Sequence, residues 1–216
     1  MESYEHLQCP LCNSTQSAHF WRDKRRNYVI CSQCELVFVP VAEHISPTQE
    51  KKQYDMHQNS PNDTRYRQFL SRLVNPLRRR LPDRSKGLDF GSGPGPTVSV
   101  MLEEMGHQVT LYDKFYAPDT AVLRYEYDFI TCTEVVEHLV NVGQDLDTLW
   151  GLLTTGGILA VMTKTHEGRE RFSQWHYKND PTHIVFFSKA TMKYLANHWQ
   201  ASLELIEPDV FIFEKG

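Results

Sequence analysis

The sequence predicts an α/β protein built on a doubly wound, mostly parallel sheet, with a small separate module at its N-terminus. From residue 83 onwards, short apolar segments typical of strands alternate with segments typical of helices, as in a parallel sheet with helices on both faces. The first forty residues instead contain two close pairs of cysteines among short strand-like segments. We therefore divide the chain into the module (1–45), a helical connecting arm (46–82) and the α/β domain (83–216).

The composition excludes several classes of protein. A chain of 216 residues with 40% hydrophobic content can bury a substantial core. No apolar run approaches the roughly 20 residues that span a bilayer, and the first residues lack the basic-then-apolar order of a signal peptide. We expect a cytoplasmic protein without a membrane span. A net charge of −4 argues against a surface that binds nucleic acid throughout, and we interpret the basic clusters at 22–26 and 78–80 as solvated surface.

Four cysteines have the spacing of a metal site. Cys9 and Cys12 form one CxxC pair, and Cys31 and Cys34 form a second after an interval of residues 13–30. Two such turns can place four thiolates about 2.3 Å from one zinc ion in a tetrahedron, as in a zinc ribbon. Because four thiolates close the coordination sphere, such a zinc is structural. A redox CxxC, which predicts one pair beside a βαβ unit, and a rubredoxin-like iron site are the alternatives.

The segments between and after the cysteines agree with a ribbon. Residues 19–30 (HFWRDKRRNYVI) indicate a strand, a polar turn and a second strand, and residues 35–40 (ELVFVP) indicate a third. A module of this size cannot bury enough apolar surface alone, so zinc would supply much of its folding free energy. We expect the ribbon either to contact a substrate or to brace the larger domain.

The sequence of the connecting arm predicts two helical segments, with a break between them at residues 59–63. In the second stretch the apolar residues recur at intervals of three and four, the pattern of an amphipathic helix on an apolar surface. In the first stretch, Tyr54, His57 and Asn59 are either ligand contacts or ordinary surface and packing residues.

The sequence of the α/β domain predicts strands at 87–90, 108–112, 127–131 and 157–162. It predicts helices at 97–105, from the end of the third strand to about residue 139, and at 146–153. Ligands of such sheets bind beyond the carboxyl ends of the strands. The segment LDFGSGPGP, residues 88–96, follows the first of these strands and has glycine at alternate positions. Glycines leave the main chain bare, so a ligand can lie directly against it.

The glycine segment does not fit a dinucleotide fingerprint, because G-x-G-x-x-G/A would place Pro96 where a small residue is required. It resembles motif I of class I S-adenosylmethionine-dependent methyltransferases, D/E-x-G-x-G-x-G. The resemblance implies a Rossmann-like fold in which Gly91, Gly93 and Gly95 lie against the methionine and ribose parts of the cofactor. It also implies that Asp89 orients the cofactor or the loop.

Two further features extend this resemblance. Asp113 ends the second strand, where an acid can accept both ribose hydroxyls. The segment YDFITCTEVVEHL, residues 127–139, resembles the strand and helix after motif I in ubiquinone-biosynthesis-type methyltransferases. The resemblance implies that Cys132, Thr133 and Glu134 border the cofactor site. The interval of residues 114–126 is shorter than the corresponding interval in the family, so we expect a shortened crossover between the two strands. Of all the cofactor contacts, those to the adenine ring are therefore the least well defined by the sequence.

Cys132 could instead be a nucleophile, as in cytosine methyltransferases that attack the base with a thiolate. Those enzymes carry the thiol in a Pro-Cys context, whereas threonines flank Cys132 here. We therefore interpret Cys132 as a small residue of the cofactor site. The Asn-Pro-Pro-Tyr motif of adenine amino-group methylation is also absent from the sequence.

Residues 173–188 (SQWHYKNDPTHIVFFS) are rich in aromatic and proton-carrying side chains, and they resemble a family segment that follows the fifth strand. Methyl transfer needs a positioned acceptor and, for a hydroxyl or a protonated amine, removal of a proton. His183 is the first candidate for that base and His176 the second. The alternative for His183 is a structural hydrogen bond within its turn. His138, in the segment 127–139, either takes part in the chemistry or braces the cofactor loop.

The sequence thus predicts a methyltransferase that uses S-adenosylmethionine and carries a structural zinc. The alternative function is a zinc-ribbon adaptor whose second domain binds the cofactor or a partner without catalysis. A degenerate domain would lose glycines or the ribose acid first, and Gly91, Gly93, Gly95 and Asp113 are all present. The net charge favours a small-molecule acceptor, while RNA and protein remain alternatives.

Overall fold

The computed structural model describes residues 6–56 and 59–216, so His57 lies outside the described residues. Its main element is a six-stranded sheet with the order β5-β4-β6-β7-β10-β9. The first three pairings are parallel and the last two are antiparallel. The strands are β4 Lys86–Phe90, β5 Gln108–Tyr112, β6 Tyr127–Thr133, β7 Leu153–Met162, β9 Ser202–Ile206 and β10 Val210–Glu214.

The sheet is covered on both faces, which confirms the predicted fold class. Side chains of a strand alternate between the faces, and β6 follows this rule. Its Ile130 and Cys132 belong to one hydrophobic cluster with helices α4 Val142–Gly151 and α6 Lys189–Trp199. Its Phe129 belongs to a second cluster, with the connecting-arm helix α2 Thr64–Arg78 and helix α3 Thr97–Glu103.

The amphipathic helix predicted for the arm is α2, and its buried stripe is Leu70, Leu73, Val74 and Leu77. Asp63 caps its N-terminus, and the Asp63 carboxylate accepts hydrogen bonds from free backbone N–H groups of the first turn. Helix α1 Pro47–Tyr54 precedes it and starts in a capping box formed by Ser46 and Gln49.

The N-terminal module forms a second sheet with a strand from the α/β domain. Its strands are β1 Ser17–Arg22, β2 Asn27–Cys31 and β3 Val37–Phe38, and they agree with the three segments predicted from sequence. The fourth strand, β8 Val185–Phe186, pairs with β3. Helix α5 Arg169–Gln174 packs beside it through Phe172, in a cluster with Phe20 and Tyr28. The two parts of the chain thus share a sheet.

The region after β6 differs from the prediction. No full helix extends through residue 139; the chain forms only the 3-10 turn Val136–His138, and the next helix starts at Val142 rather than 146. The reason is Glu134, which has a positive φ of 53° and donates its backbone N–H to the Met162 carbonyl. This left-handed residue turns the chain away from a helical path.

The crossover between β5 and β6 is short, as the sequence predicts. Only the 3-10 stretch Thr120–Arg124 lies between them.

Candidate functional site

A cavity of about 770 Å³ opens at the carboxyl ends of β4, β5 and β6. This volume lies within the roughly 300–1,000 Å³ of small-molecule sites. Its lining includes the glycine segment, His138 at the end of the 3-10 turn Val136–His138, and several residues of the segment 176–183. The predicted residues that line it are Asp89, Gly91, Gly93, Gly95, Asp113, Thr133, Glu134, His138, His176 and His183, together with Tyr54 and Asn59 of the arm.

The glycine loop is fixed by the end of the neighbouring strand. Gly91 and Gly93 have φ values of 76° and 63°, a region that side chains disfavour. A Cβ on Gly91 would lie 2.5 Å from the Val135 side chain, and one on Gly95 would lie 2.2 Å from the Asn59 carbonyl oxygen. Nothing lies within 4 Å of the Cβ position of Gly93. The loop is packed from behind and leaves its Gly93 side open.

Asp113 holds this loop in place. Its Oδ2 accepts the backbone N–H of Gly93 at 3.0 Å, while Oδ1 accepts those of Phe115 and Tyr116 at 2.8 and 3.0 Å. A carboxylate oxygen has two lone pairs, so Oδ2 retains one for a ligand. The structure thus assigns Asp113 a loop-ordering contact that sequence reasoning had not predicted.

Asp89 lies below the loop and is only 4% exposed. Its Oδ1 accepts the Thr131 hydroxyl at 2.7 Å. Burial, opposed by that hydrogen bond and aided by the charge of Asp113, raises the pKa of Asp89 to about 6. This arrangement suits the loop-orienting role that the family resemblance implies.

Three buried side-chain oxygens of the cavity wall have no hydrogen-bond partner among the described residues: Ser92 Oγ, Thr133 Oγ1 and Glu134 Oε1. Buried polar atoms are nearly always paired in folded proteins, so each of these three lacks the partner that a polar ligand beside it would supply. They lie with the open glycine loop on the wall where the sequence predicts the cofactor. The donor set therefore fits a ligand such as S-adenosylmethionine, which carries amino, carboxylate and hydroxyl groups.

Two glutamates lie near Tyr177: Glu134 lines the cavity, and Glu137 lies behind it in the core. The hydroxyl of Tyr177 donates to Glu137 and lies 3.4 Å from Oε2 of Glu134. Glu137 is fully buried and also accepts the Thr163 hydroxyl at 3.0 Å. Burial and the nearby Glu137 raise the pKa of Glu134, and burial raises that of Glu137 as well.

His138 and His183 face each other with ring centroids 4.7 Å apart. Nδ1 of His138 lies 3.0 Å from the Thr182 carbonyl oxygen, and Nδ1 of His183 lies 2.7 Å from that of Tyr177. A carbonyl only accepts, so each Nδ1 carries the proton and each neutral ring keeps a lone pair on Nε2. Burial lowers the pKa of His138 to about 4 and that of His183 to about 3, which favours this neutral form.

Glu137, His138 and His183 also place one potential ligand atom each within 4.8 Å of the other two. Two imidazoles and a carboxylate could hold a divalent transition metal. Both oxygens of Glu137 already accept hydrogen bonds, from Tyr177 and Thr163, and Glu137 does not line the cavity. The carboxylate is therefore occupied as an anchor for Tyr177.

The second predicted base, His176, lies at the exposed rim of the same cavity. Its Nε2 is 3.4 Å from the ammonium group of Lys164. Lys164 also lies over the ring of Tyr177, at 5.3 Å from the centroid. This pair gives the rim a basic edge.

Cys132 is placed differently from the other predicted cofactor residues. Its side chain is fully buried in the core under the sheet and is not part of the cavity wall. Burial raises the pKa of its thiol well above the usual value. A buried, protonated thiol does not suit nucleophilic attack.

The four cysteines of the module lie together. Sγ of Cys9 is 3.6 Å from that of Cys34, Sγ of Cys12 is 3.5 Å from that of Cys31, and all four sulfurs lie within 4.8 Å of one another. These separations exceed the roughly 2.05 Å of a disulfide. They approach the roughly 3.8 Å edge of a tetrahedron with Zn–S bonds of about 2.3 Å. The donor set fits zinc.

The two CxxC turns repeat one local geometry. The residue after each pair, Asn13 or Glu35, has a positive φ and donates its backbone N–H to the carbonyl of Cys9 or Cys31, in both cases at 3.0 Å. Each turn thus folds back on its own first cysteine. This local repeat explains how two distant CxxC segments present their thiols in the same way.

Two residues of the site were not identified from sequence: Lys164 in the cavity, and Arg26 in the N-terminal module. The interpretation of residues 22–26 as solvated surface is wrong for Arg26, which is only 7% exposed. Its guanidinium binds carbonyl groups of the segment 178–183. The sequence carries no signal for this contact, because its partners lie some 150 residues further along the chain.

None of the described helices combines the length and apolar character needed to cross a bilayer.

A family model described as a methyltransferase domain matches residues 62–206, which is more than half of the chain. No curated protein matches the sequence. Solved structures do match the fold. The 1,6-didemethyltoxoflavin-N1-methyltransferase of Burkholderia thailandensis, determined with 1,6-didemethyltoxoflavin and S-adenosylhomocysteine bound, is 14% identical and superposes with a TM-score of 0.53. The match covers 90% of this chain and 97% of that chain.

Two other solved structures give similar values. The PH0226 protein of Pyrococcus horikoshii is 15% identical, with a TM-score of 0.51 and coverage of 76% of this chain and 99% of that one. An O-methyltransferase family protein of Burkholderia thailandensis is 11% identical, with a TM-score of 0.51 and coverage of 77% and 63%. At such identities the likeness shows a shared fold.

Proposed function

This chain belongs to the methyltransferase-domain family, and we propose that it transfers the methyl group of S-adenosylmethionine to a small-molecule acceptor. We also propose that it is a class I enzyme of the ubiquinone-biosynthesis type, because the motif of residues 127–139 resembles that of those enzymes.

The observation that carries the proposal is a single cavity with two chemically different sides. The glycine loop and Asp113 form one part of its lining, which we call the cofactor side, and His138, Tyr177 and His183 form another, which we call the acceptor side. Methyl transfer is an in-line displacement, so donor and acceptor must occupy one enclosed space in a fixed orientation. A shared cavity of this size can hold both.

On the cofactor side, S-adenosylmethionine would supply a methyl group activated by a positively charged sulfur. The chain's contribution there is binding and orientation. Gly93 offers an open main-chain surface, and Asp113 keeps a lone pair on Oδ2 for a ribose hydroxyl. The unpartnered oxygens of Ser92, Thr133 and Glu134 complete the polar lining. Cys132 supports this wall from the core without reaching the cavity.

On the acceptor side, His183 is the proposed base. The donor bond from its Nδ1 to the Tyr177 carbonyl leaves Nε2 unprotonated, and burial keeps the ring neutral. An unprotonated Nε2 can take the proton of an acceptor hydroxyl as the new bond forms. His138 has the same tautomer and faces His183, while the exposed His176 at the rim is the weaker candidate.

The cavity favours a small acceptor over a macromolecule. Aromatic side chains of Tyr54, Tyr66, Phe69 and Phe115 form much of its wall, which suits an apolar or aromatic molecule. RNA and protein acceptors are the alternatives. A non-catalytic adaptor is less well supported, because the glycine loop, Asp113 and the paired histidines all remain in place.

The N-terminal module completes the proposal. We propose that Cys9, Cys12, Cys31 and Cys34 hold a structural zinc and that residues 1–45, 46–82 and 83–216 act as ribbon, arm and catalytic domain. The five free cysteines suit the reducing environment of the cytoplasm, where we place the protein.

The direct test is isothermal titration with S-adenosylhomocysteine, followed by a transfer assay. The wild type should bind the cofactor product, whereas absence of heat would refute the proposal. Radiolabelled S-adenosylmethionine is then incubated with the enzyme and separated RNA, protein and small-molecule fractions of a cell extract. Label in the small-molecule fraction supports the proposed acceptor class; label only in RNA or protein contradicts it.

A further inference from the structure

Arg26, in the turn between β1 and β2, reaches out of the N-terminal module into the catalytic domain. Its Nη1 donates to the carbonyl oxygens of Pro181 and His183 at 3.2 and 2.8 Å. Its Nη2 donates to those of Lys178 and Asp180 at 2.6 and 3.0 Å. One buried guanidinium thus ties together four carbonyl groups of a single short segment.

The segment 178–183 depends on side chains for its shape. It has little regular structure: a 3-10 turn ends at Asn179, and β8 begins only at Val185. Besides Arg26, the Tyr28 hydroxyl, which donates to Asp23 at 2.9 Å, lies 3.2 Å from the Lys178 carbonyl oxygen, and His138 donates to the Thr182 carbonyl at 3.0 Å. Buried carbonyls need donors, and for this segment most come from the module.

The same segment positions the imidazole of His183. The ring is anchored at Nδ1 by the Tyr177 carbonyl, directly before the segment, while the His183 carbonyl itself is bound by Arg26. A shift of the segment would therefore change the distance between Nδ1 and its acceptor. The proton on Nδ1, and with it the lone pair on Nε2, depends on that distance.

No other side chain type can replace the contact. A guanidinium presents five N–H donors in a rigid plane, whereas the lysine ammonium has three donors around one point. The neighbouring Arg25 provides a contrast, since it is exposed and makes one contact, at 3.3 Å, to the Asn179 carbonyl.

We propose that Arg26 is a positioning residue, through which the N-terminal module holds His183 in its Nδ1–H form on the acceptor side of the cavity. This rests on the proposed function of His183 as the acceptor-side base. It assigns the ribbon a task in the reaction without direct contact to the acceptor. The cofactor side should be unaffected, because Arg26 contacts none of the glycine-loop residues.

The test is the tautomer of His183, read from long-range proton–nitrogen NMR spectra of protein labelled with 15N-histidine. The His183 signals are assigned by their loss in His183→Asn. The wild type should show a protonated Nδ1 and an unprotonated Nε2, with well-separated nitrogen shifts. In Arg26→Lys the two nitrogen shifts should move towards each other as the tautomers mix. Arg25→Lys, the matched control, should give the wild-type spectrum.

Isothermal titration with S-adenosylhomocysteine accompanies the spectra of the wild type, Arg26→Lys and Arg25→Lys, and these three proteins should bind it alike. A folded Arg26→Lys protein with wild-type His183 signals would overturn the proposal, even if its melting temperature falls. If Arg26→Lys does not fold, Arg26→Gln takes its place. Failure of both to fold beside a folded Arg25→Lys would make Arg26 a folding residue and also reject the proposal. If the wild type fails to bind S-adenosylhomocysteine, the proposed function is refuted. The NMR comparison of the His183 tautomers still tests the role of Arg26, because it does not require bound cofactor.

Discussion

The two sides of the cavity are built in different ways. The proposed cofactor side consists of the loop after β4, the carboxylate after β5, and Thr133 and Glu134 at the end of β6, on three adjacent parallel strands. The acceptor side combines a 3-10 turn, the segment 176–183, the arm and, through Arg26, the N-terminal module. A side made from neighbouring strand ends tolerates change elsewhere in the chain, whereas a side assembled from distant segments depends on each contact between them. Changes to the module should therefore affect acceptor chemistry far more than cofactor binding.

The largest effect is expected from the double change Cys9→Ser, Cys12→Ser. Zinc binding supplies much of the folding free energy of a small module, about 10–16 kcal/mol in zinc-finger peptides. We expect elemental analysis to show about one zinc per wild-type chain and none in the variant, with a lower melting temperature. Cys132→Ala, which changes the cysteine outside the cluster, should keep its zinc. A wild type without zinc would refute the metal site.

Next comes His183→Ala, which removes the proposed base. Turnover should fall roughly 100- to 10,000-fold while affinity for S-adenosylhomocysteine stays the same, because a general base acts on the transition state. The measurement pairs the radiolabel transfer rate with a melting curve. His198→Ala, at an exposed site, should change neither. A His183→Ala protein that melts early but still turns over well would make His183 structural and leave His176 as the remaining sequence-predicted candidate.

On the cofactor side, Asp113→Ala removes the acceptor for the Gly93, Phe115 and Tyr116 N–H groups. Affinity for S-adenosylhomocysteine should fall roughly 10- to 100-fold, since a hydrogen bond to a charged group contributes about 1.5–3 kcal/mol. Titration calorimetry measures it. Asp119→Ala, an exposed aspartate in the following turn, is the matched control and should bind normally. Equal affinity for both variants would exclude Asp113 from the cofactor site.

The smallest effect concerns the contact between module and domain at Gly143. Its N–H donates to the Pro10 carbonyl at 3.0 Å, and a Cβ there would lie 2.3 Å from the Leu11 carbonyl oxygen. Gly143→Ala should lower the free energy of unfolding by about 1–3 kcal/mol, measured by denaturant titration. Gly151→Ala, in the same helix with open space at its Cβ, should not destabilise. Equal stability of the two variants would show that residues 10 and 11 of the module can shift to accommodate a methyl group at position 143, and would contradict the prediction.

Local patterns predicted residues that the structure brings together in one cavity. The alternating glycines, the apolar strand before them and the acid after the next strand are all short-range features, and Gly91, Gly93, Gly95 and Asp113 all line that cavity. The same holds for the cysteine pairs, whose turns are local and meet in space. The exception is Cys132, since alternation of β6 side chains turns it into the core. The helix expected through residue 139 was wrong because a single left-handed residue, Glu134, redirects the chain.

The sequence by itself determined the family, the sheet, the glycine loop and the cysteine cluster, because each rests on a spacing of a few residues that fixes backbone geometry locally. Only the tertiary structure decided the tautomers of His138 and His183, the unpartnered oxygen of Glu134 and the role of Arg26. Protonation and burial depend on which carbonyls and carboxylates come within hydrogen-bond distance. In this protein those partners lie as much as 157 residues apart along the chain, as between Arg26 and His183.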